Sequence, residues 1–345
     1  MVDEKDRLLL SLLQKGIPFI GRPFAVLGAK AGMDGADAIL RIEKMRREGL
    51  LTDIRAFWDP QAFRYQGAWA AMKFSKNDFE VLSRTVYQHP GVVYGLERDH
   101  DLNFWFFLTA PAGHDLEAHF RILRKQTYPE ASIFLPLRKV LKGNNLLSSL
   151  TGRGSEGFIE QGEKRRGVQP PPLTLDELRL IRLMQEPLLL TDEPFRKISE
   201  SMNVPEAIAL NLLGGFAQKG YLKRIGAYLE SRGPGRDPRH LVVWQIAEEK
   251  LEKVRGFFEE FPEIVYADSR PGYPVFPYTV SMLIRAGSLG ELGIFVKQIE
   301  ARIGQWPHRI IATIREIKKT PVRYFPKELD SWWIRQRLLA DPAFV

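Results

Sequence analysis

His100 stands between Asp99 and Asp101, immediately before an aromatic run that includes Asn103, Phe104 and Trp105. An imidazole near its ordinary pKa donates or accepts a proton at neutral pH, and a flanking carboxylate could orient it. Two residues earlier lies Arg98. The planar guanidinium fork holds a carboxylate through two parallel hydrogen bonds. Arg98 has a counterpart in Arg270, and Arg138 has one in Arg315. Tyr94 and Tyr266 form a third matched pair that could donate a phenolic proton or hydrogen-bond a carboxylate. A second histidine, His240, ends a Gly- and Pro-rich segment that follows Arg232. Together these residues suit a site that grips carboxylates and moves one proton. Each also has a plainer reading. The arginines could lie along a sheet edge on their aliphatic stems, His100 could be a solvated loop residue, and the tyrosines and Trp105 could simply pack. His89, His114, His119 and His308 read as structural or exposed.

The matched pairs belong to an internal repeat. Pro23-Phe24 recurs as Pro194-Phe195 and Gly49 as Gly220, both 171 residues later. The run from His89 through Pro90, Gly91, Val92 and Val93 to Tyr94, with Arg98 beyond it, recurs 172 residues on as Phe261 through Tyr266 with Arg270. Leu137, Arg138, Lys139 and Val140 match Ile314, Arg315, Glu316 and Ile317 at an offset of 177. Three blocks in one order make the chain one module written twice. Residues 143–172, polar and rich in glycine and proline, read as the linker between the copies.

The spacing of apolar residues predicts an α+β fold. Leu8, Leu9, Leu12 and Leu13 have helical spacing, as do Leu178, Ile181, Leu183 and Met184 within looser limits. Further helices are predicted over 23–31 and 35–48, with partners over 194–202 and 205–219. Gly49 and Gly220 suit left-handed caps for the third helix of each set. Three short helices and an extended segment make a winged helix-turn-helix. After it, repeat one predicts strands over 67–74, 92–97, 103–109 and 132–141, with helices over 77–88 and 114–127. Repeat two predicts strands over 241–246, 264–269, 279–285 and 310–317, with helices over 248–260 and 289–302. The order βαββαβ is ferredoxin-like. The expected organisation is a first winged helix (1–55), a first α/β domain (56–142), the linker (143–172), a second winged helix (173–226), a second α/β domain (227–330) and a C-terminal tail (331–345). Two such sheets can pair as a pseudo-dimer within the chain, leaving a cleft for a ligand, and a further homo-oligomer is open.

The net charge of +8 favours a polyanionic partner, whether nucleic acid, anionic membrane or a small molecule with many carboxylates. The absence of cysteine excludes disulfides, thiolate-bound metal and a thiol nucleophile. No apolar run approaches the roughly 20 residues that span a bilayer, and no signal peptide is apparent, so the expected location is the cytoplasm.

The stretch of residues 89–108 resembles a signature of the siroheme decarboxylases. Residues 261–278 and 314–325 resemble signatures of the partner subunit, and residues 224–232 the join between helices and sheet. Those enzymes share the Lrp/AsnC-type architecture of a winged helix followed by an α/β domain. The resemblance covers nearly the whole chain and implies a fused two-subunit form. It implies a decarboxylase that removes CO2 from two acetate side chains of siroheme, yielding didecarboxysiroheme for heme d1 or the alternative route to heme. It implies no organic cofactor, because the macrocycle accepts the electrons and its iron belongs to the substrate. On that basis Arg98, Arg138, Arg270, Arg315, Arg232, Asn103 and Trp105 are candidates for substrate binding. His100, His240, Tyr94 and Tyr266 are candidates for proton transfer, and His100 is also a candidate ligand of the siroheme iron. The chain departs from the family pattern at Ser231, Tyr94 and Tyr266, where the family carries histidine. His240 could compensate.

Two other classes compete. A winged helix usually reads DNA through the first turns of its recognition helix. Here one candidate helix opens with Asp34 and Asp37, and the other opens with Pro205 and Glu206 and has no basic residue before Lys219. Carboxylates at that end repel phosphate, which argues against DNA, although Arg41, Lys44, Arg46 and Arg47 leave some capacity. The third reading is a non-catalytic tetrapyrrole sensor.

Overall fold

The computed structural model describes residues 3–59, 62–111, 113–143, 173–228 and 239–340. Repeat one runs α1 (Glu4–Lys15), α2 (Pro23–Lys30), α3 (Gly35–Arg47), β1 (Asp53–Trp58), β2 (Tyr65–Lys73), α4 (Phe79–Tyr87), β3 (Val92–Arg98), β4 (Phe104–Pro111), α5 (Leu116–Thr127), β5 (Ala131–Leu135) and β6 (Lys139–Lys142). Repeat two runs α6 (Leu175–Leu183), α7 (Pro194–Met202), α8 (Glu206–Gln218), β7 (Leu222–Tyr228), β8 (Arg239–Trp244), a short 3-10 turn, α9 (Leu251–Phe258), β9 (Ile264–Ser269), β10 (Val280–Arg285), α10 (Leu289–Ile303), β11 (His308–Ile311), β12 (Thr313–Lys319) and α11 (Lys327–Ala340). The chain forms two compact units, and each draws on both repeats.

The helical unit contains α1–α3 with β1 and α6–α8 with β7. Its helices start where the sequence supplies caps. Asp3 and Asp6 form a capping box on α1, and Thr174 and Glu177 form its equivalent on α6. Pro23 and Pro194 occupy the first turn of α2 and α7, where a missing N–H costs nothing. The helices α3 and α8 end at Gly49 (φ 71°) and Gly220 (φ 75°). There the N–H groups of Leu50 and Tyr221 reach back to the carbonyls of Met45 and Phe216. The strands β1 and β7 do not each close a separate wing. They pair antiparallel with one another, Ile54 opposite Ala227 and Ala56 opposite Ile225. The Ile17 N–H donates to the Ile225 carbonyl at 2.7 Å and the Leu188 N–H to the Ile54 carbonyl at 2.8 Å. Those two bonds are images of one another under the 171-residue offset, so the unit has a pseudo-two-fold axis.

The α/β unit holds two five-stranded sheets, ordered β12-β3-β4-β2-β5 and β11-β8-β10-β9-β6. Within each, four strands follow the ferredoxin-like order, and the fifth comes from the other repeat. Residues 132–141 and 310–317, each expected as one strand, are therefore two strands apiece. The first break falls at Pro136, which cannot donate to a ladder. Beyond it β6 crosses to pair with β9, and beyond Ala312 β12 crosses to pair with β3. Each repeat so covers the open edge of the other's sheet, which removes two exposed strand edges. Side-chain alternation sends Ala68, Ala70, Met72, Phe104, Phe106 and Leu108 to one face of the first sheet, against Val86 of α4 and Leu123 of α5. Val242, Trp244, Met282 and Ile284 pack equivalently against Val254, Phe258, Val296 and Ile299. Residues 331–345, read as a tail, are helical through 340. Leu329 of α11 is fully buried in the first core, and Trp332 packs against it.

Candidate functional site

The end of β3 gathers the chemistry. Leu96 pairs with Trp105 and Tyr94 with Phe107, so these side chains share the sheet face turned away from the α4 and α5 core. Arg98 follows, with its N–H bonded to the Asn103 carbonyl at 2.8 Å to close the hairpin. Its guanidinium is buried at 4% exposure. Nη1 donates to the Thr313 hydroxyl at 2.7 Å and, at 3.5 Å, to the Ile311 carbonyl, both from repeat two. Nε is buried with no hydrogen-bond partner. Among the described residues no carboxylate pairs with Arg98, and burial pushes its pKa down to about 10. An uncompensated buried guanidinium is costly, and such costs persist where a ligand requires them.

His100 is half-buried beside it. Its Nδ1 accepts the Leu102 N–H at 2.9 Å, and its ring meets Phe276 edge-on at 5.5 Å. Burial lowers its pKa, and Arg309 lowers it further, while Asp101 and Asp99 oppose the shift. At neutral pH the ring is therefore neutral, with the proton on Nε2 because Nδ1 is an acceptor. In that form it offers a donor rather than a lone pair for iron. Trp105 is buried, donates from Nε1 to the Leu102 carbonyl at 2.7 Å, and also meets Phe276 edge-on. It is packed into the protein rather than presented as an open platform.

Repeat two builds the same corner differently. The Arg270 N–H closes its hairpin on the Thr279 carbonyl, and Nη1 crosses to the Leu135 carbonyl at 2.6 Å, as Arg98 reaches Ile311. Its Nε and Nη2, however, lie on the carboxylate of Asp268. Both residues are buried. At the repeat-one position of Asp268 stands Leu96. The hairpin loop is also longer, 271–278 against 99–102, and it carries Tyr273, whose hydroxyl donates to the Phe134 carbonyl, and Phe276.

The remaining candidates are dispersed. Asn103 is consumed by the backbone of Phe74, accepting its N–H at 3.0 Å and donating to its carbonyl at 2.9 Å. The Tyr94 hydroxyl donates to Glu316 at 2.9 Å. Tyr266 is 1% exposed and hydrogen-bonds Asp268. His240 lies on β8 opposite Ile284, not on a loop, with Nε2 3.2 Å from the Ala286 carbonyl. Arg138 pairs with Glu248, and Arg315 with Glu80 and Glu97, all at the surface. Arg232 and Ser231 fall outside the described residues. Arg41, a candidate phosphate contact, is held by Asp3, Asp6 and Asp37. Thr313, Arg309 and Phe276 are not legible in the sequence because they reach the corner from repeat two, and Asp268 because it closes the equivalent corner around Arg270. The one available signal was the Leu96–Asp268 mismatch inside an otherwise matched block.

A second constellation was also hidden. The Gly91 N–H donates to Nδ1 of His89, whose Nε2 is 3.0 Å from Nδ1 of His119. Nε2 of His119 is 3.1 Å from Nδ1 of His114. Nε2 of His114 faces Asp330 at 3.7 Å, and Trp332 and Trp333 stack on His119. The amide fixes one tautomer for the whole chain of neutral rings, with the proton on Nε2 each time.

Residues 6–51 match the family described as the siroheme decarboxylase NirDL-like HTH domain. The NirG subunit of the siroheme decarboxylase of Paracoccus pantotrophus is 37% identical over 107 residues, covering 31% of this chain and 68% of that subunit. The chain belongs to the siroheme decarboxylase family. The siroheme decarboxylase of Hydrogenobacter thermophilus is 25% identical over 339 residues, 96% of this chain and 98% of that one. The crystal structure of the siroheme decarboxylase NirDL superposes with a TM-score of 0.73 at 23% identity, covering 98% of this chain and all of that chain. A second crystal structure of that protein is a complex with an iron-uroporphyrin III analogue. The fold of the siroheme decarboxylase family thus extends across both repeats of this chain.

Proposed function

We propose that this chain is a carboxy-lyase acting on siroheme, removing CO2 from two acetate side chains to give didecarboxysiroheme. The likeness to the siroheme decarboxylase of Hydrogenobacter thermophilus over 96% of the chain carries this reading. The corner at the end of β3 supplies groups suited to the chemistry. An acetate loses CO2 when the C–C bond breaks, the electron pair passes to the methylene carbon and the macrocycle delocalises it, and a proton arrives at that carbon to leave a methyl group. Arg98 is suited to hold a substrate carboxylate through a charge-assisted pair. His100 is suited to take up a proton from solvent as imidazolium, deliver it from Nε2 to the methylene carbon and return to the neutral ring. The geometry favours that role over iron ligation. The macrocycle is its own electron sink, so no organic cofactor enters the scheme. On this reading Arg138 and Arg315, engaged by surface glutamates, and Asn103, engaged by the backbone, lie outside the substrate contacts.

Anaerobic incubation of the purified protein with siroheme, followed by mass spectrometry, tests the proposal. The expected result is loss of first one and then a second CO2. Siroheme that binds and is recovered unchanged overturns it. His100→Ala should slow turnover about 100-fold while leaving iron-uroporphyrin III bound.

A further inference from the structure

We infer that the two pseudo-equivalent arginine corners are not equivalent: Arg98 is an open receptor for one carboxylate of the tetrapyrrole, and Arg270 is closed by its own Asp268. The inference rests on the proposed function only in naming a carboxylate-bearing macrocycle as the ligand. The two arginines close equivalent hairpins and send Nη1 across to equivalent carbonyls, Ile311 and Leu135. They differ in the remaining edge. In Arg270 the Nε–Nη2 edge, the geometry that binds a carboxylate through two bonds, is taken by Asp268. In Arg98 that edge has no such partner, Nε is unsatisfied, and the flanking side chain is Leu96. A fold that can place a carboxylate two residues before this arginine, and does so in repeat two, leaves it out in repeat one. The Arg98 edge therefore matches an external carboxylate in charge and in its unfilled Nε donor. The neighbour agrees, since His100 follows Arg98 closely and its N–H is bonded to the Arg98 carbonyl, whereas the position of His100 in repeat two is occupied by Gly272. Repeat one thus holds and protonates substrate, and Arg270 with Asp268 is an internal tie between the sheets.

Three variants separate the two roles: Leu96→Asp, Arg98→Gln and Arg270→Gln, each measured for iron-uroporphyrin III binding by absorbance titration and for thermal melting without ligand. Leu96→Asp gives Arg98 the partner that Arg270 already has, and it should weaken binding roughly 30-fold or more. Arg98→Gln should weaken binding to a similar extent yet melt no lower than the wild type, because it removes an unpaired buried charge. Arg270→Gln should melt well below the wild type, because it strands Asp268. Binding at wild-type affinity by folded Leu96→Asp overturns the inference, as does wild-type binding by Arg98→Gln should Leu96→Asp fail to fold. Equal loss of melting temperature in Arg98→Gln and Arg270→Gln also overturns it, by making Arg98 structural. A wild type that does not bind iron-uroporphyrin III overturns it too. If the wild type binds but releases no CO2 from siroheme, the proposed reaction falls and the carboxylate receptor stands.

Discussion

Repeat one and repeat two share their element order, their exchanged strand and the crossing reach of one arginine, but they solve the problem of a buried cation in opposite ways. Arg270 is neutralised within two residues of itself by Asp268. Arg98 has a leucine in that place and keeps an unsatisfied Nε. A second contrast lies on the other face of each sheet. Repeat one threads His89, His119 and His114 between its sheet and α11. Repeat two has Phe261 where His89 stands, and Leu292 where His119 stands, counting from the caps Asp115 and Ser288. Repeat two thus ties its buried arginine to a carboxylate and fills the histidine positions with apolar side chains, whereas repeat one leaves the Nε of its buried arginine unpaired and links its histidines in a chain.

Arg270→Gln leaves Asp268 buried without its cation and should cost about 3–5 kcal/mol of stability, read by chemical denaturation. A cost below about 1 kcal/mol would show that the pair is no more than a surface-grade contact and would erase the contrast with Arg98.

Acid sharpens the second contrast. Burial and the neighbouring His114 lower the pKa of His119 to about 4, and burial lowers that of His89. An unfolded histidine titrates near 6.5, so the unfolded chain binds the proton first. Stability is full above about 6.5 and falls as pH drops toward 4, by on the order of 3 kcal/mol for His119 alone. Fluorescence of Trp332 and Trp333, which stack on His119, should change in that window. His119→Leu, which copies repeat two, should flatten the pH dependence. A pH profile that is the same with and without His119 would remove the imidazole chain as the cause.

The smallest effects belong to the outer arginines. Arg138→Ala and Arg315→Ala each break exposed ion pairs with glutamates, so each should change stability by about 0–1 kcal/mol and leave siroheme turnover near wild type. A large loss of turnover in either would return the outer arginines to the substrate and widen the site beyond the corner at Arg98.

The repeat, the winged helix and the ferredoxin-like order are legible along the chain, because each is written in local signals. Capping residues at Asp3 and Thr174, the helix-closing Gly49 and Gly220, and the continuous apolar runs along β2 and β4 act within a few residues of themselves. It also put Arg98 and His100 side by side, since they are neighbours in the chain. How those groups are used depends on contacts between segments far apart in the chain. The exchange of β6 and β12 depends on which open edge each strand meets, and neither strand's own pattern encodes its partner. Asn103 is spent on Phe74, Tyr94 on Glu316 and Arg315 on Glu80 through contacts that join distant segments. The four matched arginines were equal as letters. They became one open cation, one closed pair and two surface contacts when burial and the position of a single carboxylate, Asp268, were fixed, because the cost of a charge is set by what surrounds it in space.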